Sequence, residues 1–147
     1  MESSSNSSAA GMEGHSTNRP PLFDGTNYNF WSNRMSIFIR SCDYEMWEVV
    51  MDDPYVPTKA KEESEELEPK LKSEWTDMDM KKVQLNFKAM NTLHYALNIT
   101  EFNRISTYES AKEIWEKLKD IAIQEVTILN ENMWFSSYHC TRRKPNL

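Results

Sequence analysis

Apolar side chains recur at Tyr28, Trp31, Met35, Phe38, Ile39 and Cys42, the alternating three- and four-residue spacing that lines one face of a helix. The turn Phe23-Asp24-Gly25-Thr26 precedes this stripe, with Gly25 suited to a positive φ and Thr26 or Asn27 able to cap the first turn. Asp43 can cap a second, short helix carrying Met46, Trp47, Val50 and Met51, which Pro54 and Pro57 bring to an end. Over 57–69 the pattern disappears. Glu62, Glu63, Glu65, Glu66 and Glu68 stand there beside Lys59 and Lys61, and like charges at this density predict a solvated, extended loop.

Residues 71–97 contain neither Gly nor Pro, and Trp75, Met78, Val83, Phe87, Met90, Leu93 and Leu97 fall on one broad arc at 100° per residue. This predicts the longest helix. Asp79, Lys82 and Asn86 interrupt the arc in its first half, so that half is expected to pack less completely or to meet another polar element. Ile99, Phe102 and Ile105 suggest a short turn or helix, Ser106 or Thr107 can cap the next one, and Ala111, Ile114, Trp115, Leu118 and Ile121 form the last stripe. Residues 122–147 lose this regularity.

The pattern therefore predicts an all-α fold, a small helical bundle over 21–121. A Ser-rich tail over 1–20 is expected to be disordered, because so few apolar groups cannot offset its ordering entropy. The acidic loop lies at about 57–69 and an irregular tail at 122–147. The expected core is Phe23, Tyr28, Trp31, Met35, Phe38, Trp47, Trp75, Phe87, Met90, Leu93, Ile114, Trp115 and Leu118, large aromatic and aliphatic groups that more often anchor a core than touch a ligand.

Composition agrees with helices: three Gly and six Pro in 147 residues disfavour an all-β fold or a phosphate-cradling loop, and nine Met suit helical packing. The net charge is −6, and residues 22–121, with 13 basic against 19 acidic side chains, hold all of it. Nucleic-acid binding needs clustered cations, so it is expected to be weak or absent, resting on Arg142, Arg143 and Lys144 alone. No secretory signal or membrane-length apolar run is evident, which points to the cytoplasm and to free thiols at Cys42 and Cys140.

Chemistry is sparse. A zinc knuckle requires four ligands at fixed spacing, and His139-Cys140 supplies two adjacent ones. His15 lies in the Ser-rich tail, and His94 sits on the apolar arc, where a hydrogen-bonded helix histidine is expected. No nucleophile, base and orienting group fall into a recognisable set, so neither an enzyme nor a bound metal or cofactor is predicted.

Four segments carry a resemblance. PPLFDGTNYNFWSNRM, MWEVV, EWTDMDMKKVQLNFKAMNTLHYAL and EFNRISTYESAKEIWEKLK follow one another as in the gag polyproteins of plant copia-type LTR retrotransposons. The chain resembles that family over 21–119, through the copia-type N-terminal region and the start of the gag polypeptide. The resemblance implies a helical domain of the retroviral-capsid kind that self-associates around the element's RNA. Residues 122–147 depart from the family, which implies a truncated gag region. The function expected is a non-catalytic structural fragment acting through homo-oligomerisation, with a co-opted helical protein–protein adaptor or an inert transposon remnant as alternatives.

Overall fold

A computed structural model describes residues 19–140, with side chains up to 137. The expectation for the 1–20 tail falls almost wholly outside the described residues, as do His15 and the cations Arg142, Arg143 and Lys144; the side chains of His139 and Cys140 do too. Five helices, α1 (Tyr28–Cys42), α2 (Tyr44–Met51), α3 (Asp77–Tyr95), α4 (Ile99–Ile105) and α5 (Ala111–Cys140), accompany one small antiparallel ribbon of β1 (Thr58–Ala60) and β2 (Leu67–Pro69). The fold is all-α in class.

The caps explain the helix starts. Asn27 accepts the Phe30 amide at 3.1 Å and begins α1, while the Asp43 carboxylate accepts from Glu45 and begins α2 at once, so one residue makes the bend. Thr76 and Asp79 exchange side-chain hydrogen bonds with each other's backbone amides and start α3 as a capping box. Ser110, rather than Ser106 or Thr107, caps α5 by accepting from Glu113 at 3.2 Å. Gly25 has φ +81°, the left-handed turn that its lack of a Cβ permits, and the Glu125 carboxylate of α5 folds directly over it.

α2 packs against α1, α3 and α5, and α3 packs against α5. At their centre runs a chain of rings. Phe23 meets Trp31 edge to face at 4.9 Å, Trp31 stacks on Trp115 at 5.3 Å, and Trp115 meets Trp47 edge to face at 5.3 Å. Trp31 Nε1 donates to the Pro21 carbonyl at 2.9 Å, and the Phe23 amide donates to Ala96 at 2.8 Å, which ties the chain entering α1 to the end of α3. Met35, Ile39, Leu93, Ile114 and Leu118 are buried around the rings.

Five expectations change. Residues 57–69 form a ribbon with Lys59 opposite Glu68, because Lys59 pairs with Glu74 at 2.6 Å and Glu68 at 3.7 Å, and Lys61 with Glu66 at 2.8 Å. The segment is solvated, as its charges require, but ordered. Phe87 is 61 % exposed, not core, because α3 turns Leu85, Asn86 and Ala89 inward. Trp75 precedes α3 half-buried and stands outside the core cluster. Residues 122–140 are not irregular: they continue α5, since they contain no Gly or Pro and nothing in them ends the helix. Tyr28, Phe38, Trp47 and Met90 pack against the core half-buried rather than within it.

Candidate functional site

Two surfaces stand out, and each follows from how the helices are built. On α2, Met46 and Val50 turn into the core, which leaves Glu45 and Glu48, and Asp52 just past the helix, on one outward face at three- and four-residue spacing. α3 runs alongside and presents Lys81 and Lys82. Between these walls lies a groove of 440 Å³ with Val49, Met78, Leu85 and Tyr55 on its floor. One lip is anionic and the other cationic. Lys82 lies over the Tyr55 ring at 4.9 Å, and Asp53 pairs with Lys112 at the start of α5 at 3.2 Å. Among the described residues, Glu45, Glu48 and Asp52 face no cation within ion-pair distance.

The floor is held by a buried carboxylate. Asp79 accepts from the Tyr55 hydroxyl at 2.7 Å, from Lys70 at 2.7 Å and from the Thr76 amide at 3.0 Å. The Lys70 ammonium, with the Thr76 amide and the Tyr55 hydroxyl, holds the Asp79 carboxyl well below the usual carboxylate range, and Asp79 in turn raises both Lys70 and Tyr55. Since its folded value lies below the ordinary 3.8, Asp79 binds its proton more readily unfolded. Its contribution to stability is complete above that ordinary value and is lost as pH falls below it. Asp79→Asn is therefore expected to lower the melting temperature at pH 7, with the gap from wild type narrowing towards pH 3; thermal melts at the two pH values check this.

The second surface is the outer part of α5. Ala111, Ile114, Trp115, Leu118, Ile121 and Ala122 are buried in the bundle. Beyond them Ile123, Val126, Ile128, Leu129, Met133, Trp134 and Phe135 are each between 46 and 69 % exposed. The helix carries apolar groups on more than one face here, with Glu125 and Glu131 the only charges over 123–135. No protein-family model, curated protein or solved structure matches the chain. Function must be argued from these two surfaces and the sequence.

Of the aromatic residues expected in the core, Phe23, Tyr28, Trp31, Trp47 and Trp115 come together as one packed cluster, whereas Trp75 and Phe87 do not join it; Phe30, Tyr95 and Phe102 are exposed. His94 departs from its expectation: it sits half-buried, edge-on to Phe102 at 5.1 Å, its Nε2 meets no hydrogen-bond partner, and burial lowers its pKa. Cys42 is an exposed free thiol. Among the described residues no three His, Cys, Asp or Glu side chains gather as a metal site, and no helix is long and apolar enough to cross a membrane.

Sequence reasoning missed the groove, and it read the outer part of α5 as an irregular tail. The signal for the first was the spacing Glu45, Glu48, Asp52, the polar complement of the apolar stripe on α2. For the second it was Val126, Leu129 and Met133, which continue the face of Trp115 and Ala122 at three- and four-residue intervals.

Proposed function

We propose that the chain is a non-catalytic, self-associating helical scaffold of the copia-type gag kind. The observation that carries this reading is the uncovered apolar band on α5. A surface helix normally confines its apolar groups to one stripe facing its own core, and a helix apolar on several sides is one that a partner covers. The sequence resemblance supplies the kind of scaffold, and the packing supports it to this extent: Phe23, Trp31 and Trp115 serve the core, while the outer α5 band gathers seven exposed apolar groups within 13 residues of one helix.

Analytical ultracentrifugation over a hundredfold range of concentration tests the proposal. The weight-average mass is expected to rise to that of dimers or larger species. A variant with Val126, Ile128, Leu129 and Phe135 all changed to serine should stay monomeric with its circular dichroism still helical. Wild-type protein that sediments as a monomer throughout would overturn the reading.

A further inference from the structure

The groove between α2 and α3 and the outer end of α5 have complementary chemistry. Ile128, Glu131 and Phe135 lie at i, i+3 and i+7 and share one face of α5, with Trp134 beside them and its ring edge-on to Phe135 at 6.1 Å. Arg142, Arg143 and Lys144 follow within four residues of the end of the helix. The groove presents the opposite set: an apolar floor of Val49, Met78 and Leu85, a carboxylate wall of Glu45, Glu48 and Asp52 with no ion pair to a described cation, and Lys81 across from it. Its 440 Å³ is within the range of about 300–1,000 Å³ typical of sites that bury ligand-sized apolar groups.

The α5 end cannot fill the groove of its own chain. α5 starts beside the groove, where Lys112 pairs with Asp53 at 3.2 Å, and continues as one helix to Cys140. At 1.5 Å per residue that end lies roughly 40 Å away, and four further residues reach back no more than about 14 Å. An α5 end in the groove therefore has to come from another molecule, and a second copy carries it.

We infer that the outer end of α5 of one copy docks into the α2–α3 groove of the next. Trp134 and Phe135 cover the apolar floor, the cations at 142–144 face Glu45, Glu48 and Asp52, and Glu131 faces Lys81. This rests on the self-association proposed above and names its interface. The contact joins two different surfaces, so each copy retains a free groove or a free helix end, and the assembly grows head to tail instead of closing as a two-fold dimer. Charge pairing at the rim makes it weaken as salt is raised.

Complementary variants test this on the full chain. One reverses the groove wall (Glu45→Lys, Glu48→Lys, Asp52→Lys), all exposed positions; the other reverses the cations (Arg142→Glu, Arg143→Glu, Lys144→Glu). Circular dichroism confirms that both fold, and sedimentation reads association. Each variant alone is expected to associate at least tenfold more weakly than wild type. Mixed one to one, the intact helix end of the first meets the intact groove of the second and the reversed groove meets the reversed end, so association is expected to recover towards that of wild type.

A groove variant that assembles like wild type would overturn the inference while leaving self-association standing, since α5 would then pair through some other face. Failure of the mixture to associate more strongly than either variant alone would overturn it as well. A monomeric wild type would remove both readings together.

Discussion

Replacing Trp31 with alanine is expected to destabilise the fold by about 3–5 kcal/mol, the range for truncating a buried tryptophan. The ring is 4 % exposed and stands between Phe23 and Trp115, so its removal separates the two ends of the aromatic chain and opens a cavity bounded by rings that cannot collapse without leaving their rotamers. It also leaves the Pro21 carbonyl without its indole donor and loosens the segment that enters α1. A domain of this size has roughly 5–15 kcal/mol of stability to lose. Urea denaturation followed by circular dichroism should therefore show a large drop in midpoint. Trp31→Phe separates the contributions: the ring contacts are largely kept and the hydrogen bond is lost, for a cost of about 1 kcal/mol. If the phenylalanine variant were as unstable as the alanine one, the indole hydrogen bond and not the ring packing would dominate.

That ring chain also shows what the sequence could reveal and what it could not. α1, α2 and the first part of α5 were legible because each buries a single apolar stripe, and the capping residues Asn27 and Asp43 were readable for the same local reason. α3 was read with its inner face misplaced. Phe87 counts as core on hydrophobicity, yet Asn86 and Asp79 take inward positions because partners far along the chain, Glu109, Ala111, Lys70 and Tyr55, satisfy them. No local pattern contains those partners. The half of the arc expected to pack less completely or to meet another polar element does the latter at Asp79 and Asn86, while Lys82 is exposed over the Tyr55 ring. The ribbon over 57–69 depended on cross-strand pairing of Lys59 with Glu68 and on the reach of Lys59 to Glu74, where charge density alone argued for an extended loop. The continuation of α5 was hidden by its β-branched residues, Ile123, Val126, Thr127 and Ile128, which lower helix propensity without ending a helix already begun. Of the two candidate surfaces, the apolar end of α5 was hidden by the reading of 122–147 as an irregular tail, while the groove needed two helices placed side by side.

Asn86→Ala is expected to cost roughly 2–6 kcal/mol, since one buried side chain satisfies two backbone groups and losing a partner inside costs about 1–3 kcal/mol for each group left bare. Asn86 Nδ2 donates to the Glu109 carbonyl and its Oδ1 accepts from the Ala111 amide, both at 2.9 Å. The pair of bonds pins the start of α5 to the middle of α3, next to the point where Lys112 reaches Asp53 at the groove. Ala111 is wholly buried, so its amide has no access to water once the side chain is removed. Asn86→Asp sharpens the test. Its carboxylate can still accept from Ala111, but when ionised it can donate nothing to Glu109 and turns a negative charge towards that carbonyl. The aspartate variant should therefore be unstable at neutral pH and recover in part below about pH 4, where protonation restores a donor. Urea midpoints at both pH values and hydrogen exchange at the Ala111 amide report the result. Alanine and aspartate variants with wild-type stability and unchanged exchange would show that Ser110 capping alone holds the start of α5. Faster exchange confined to the first turn of α5 would instead place Asn86 as the clasp that fixes α5 against α3 and, through α5, sets where its apolar end points.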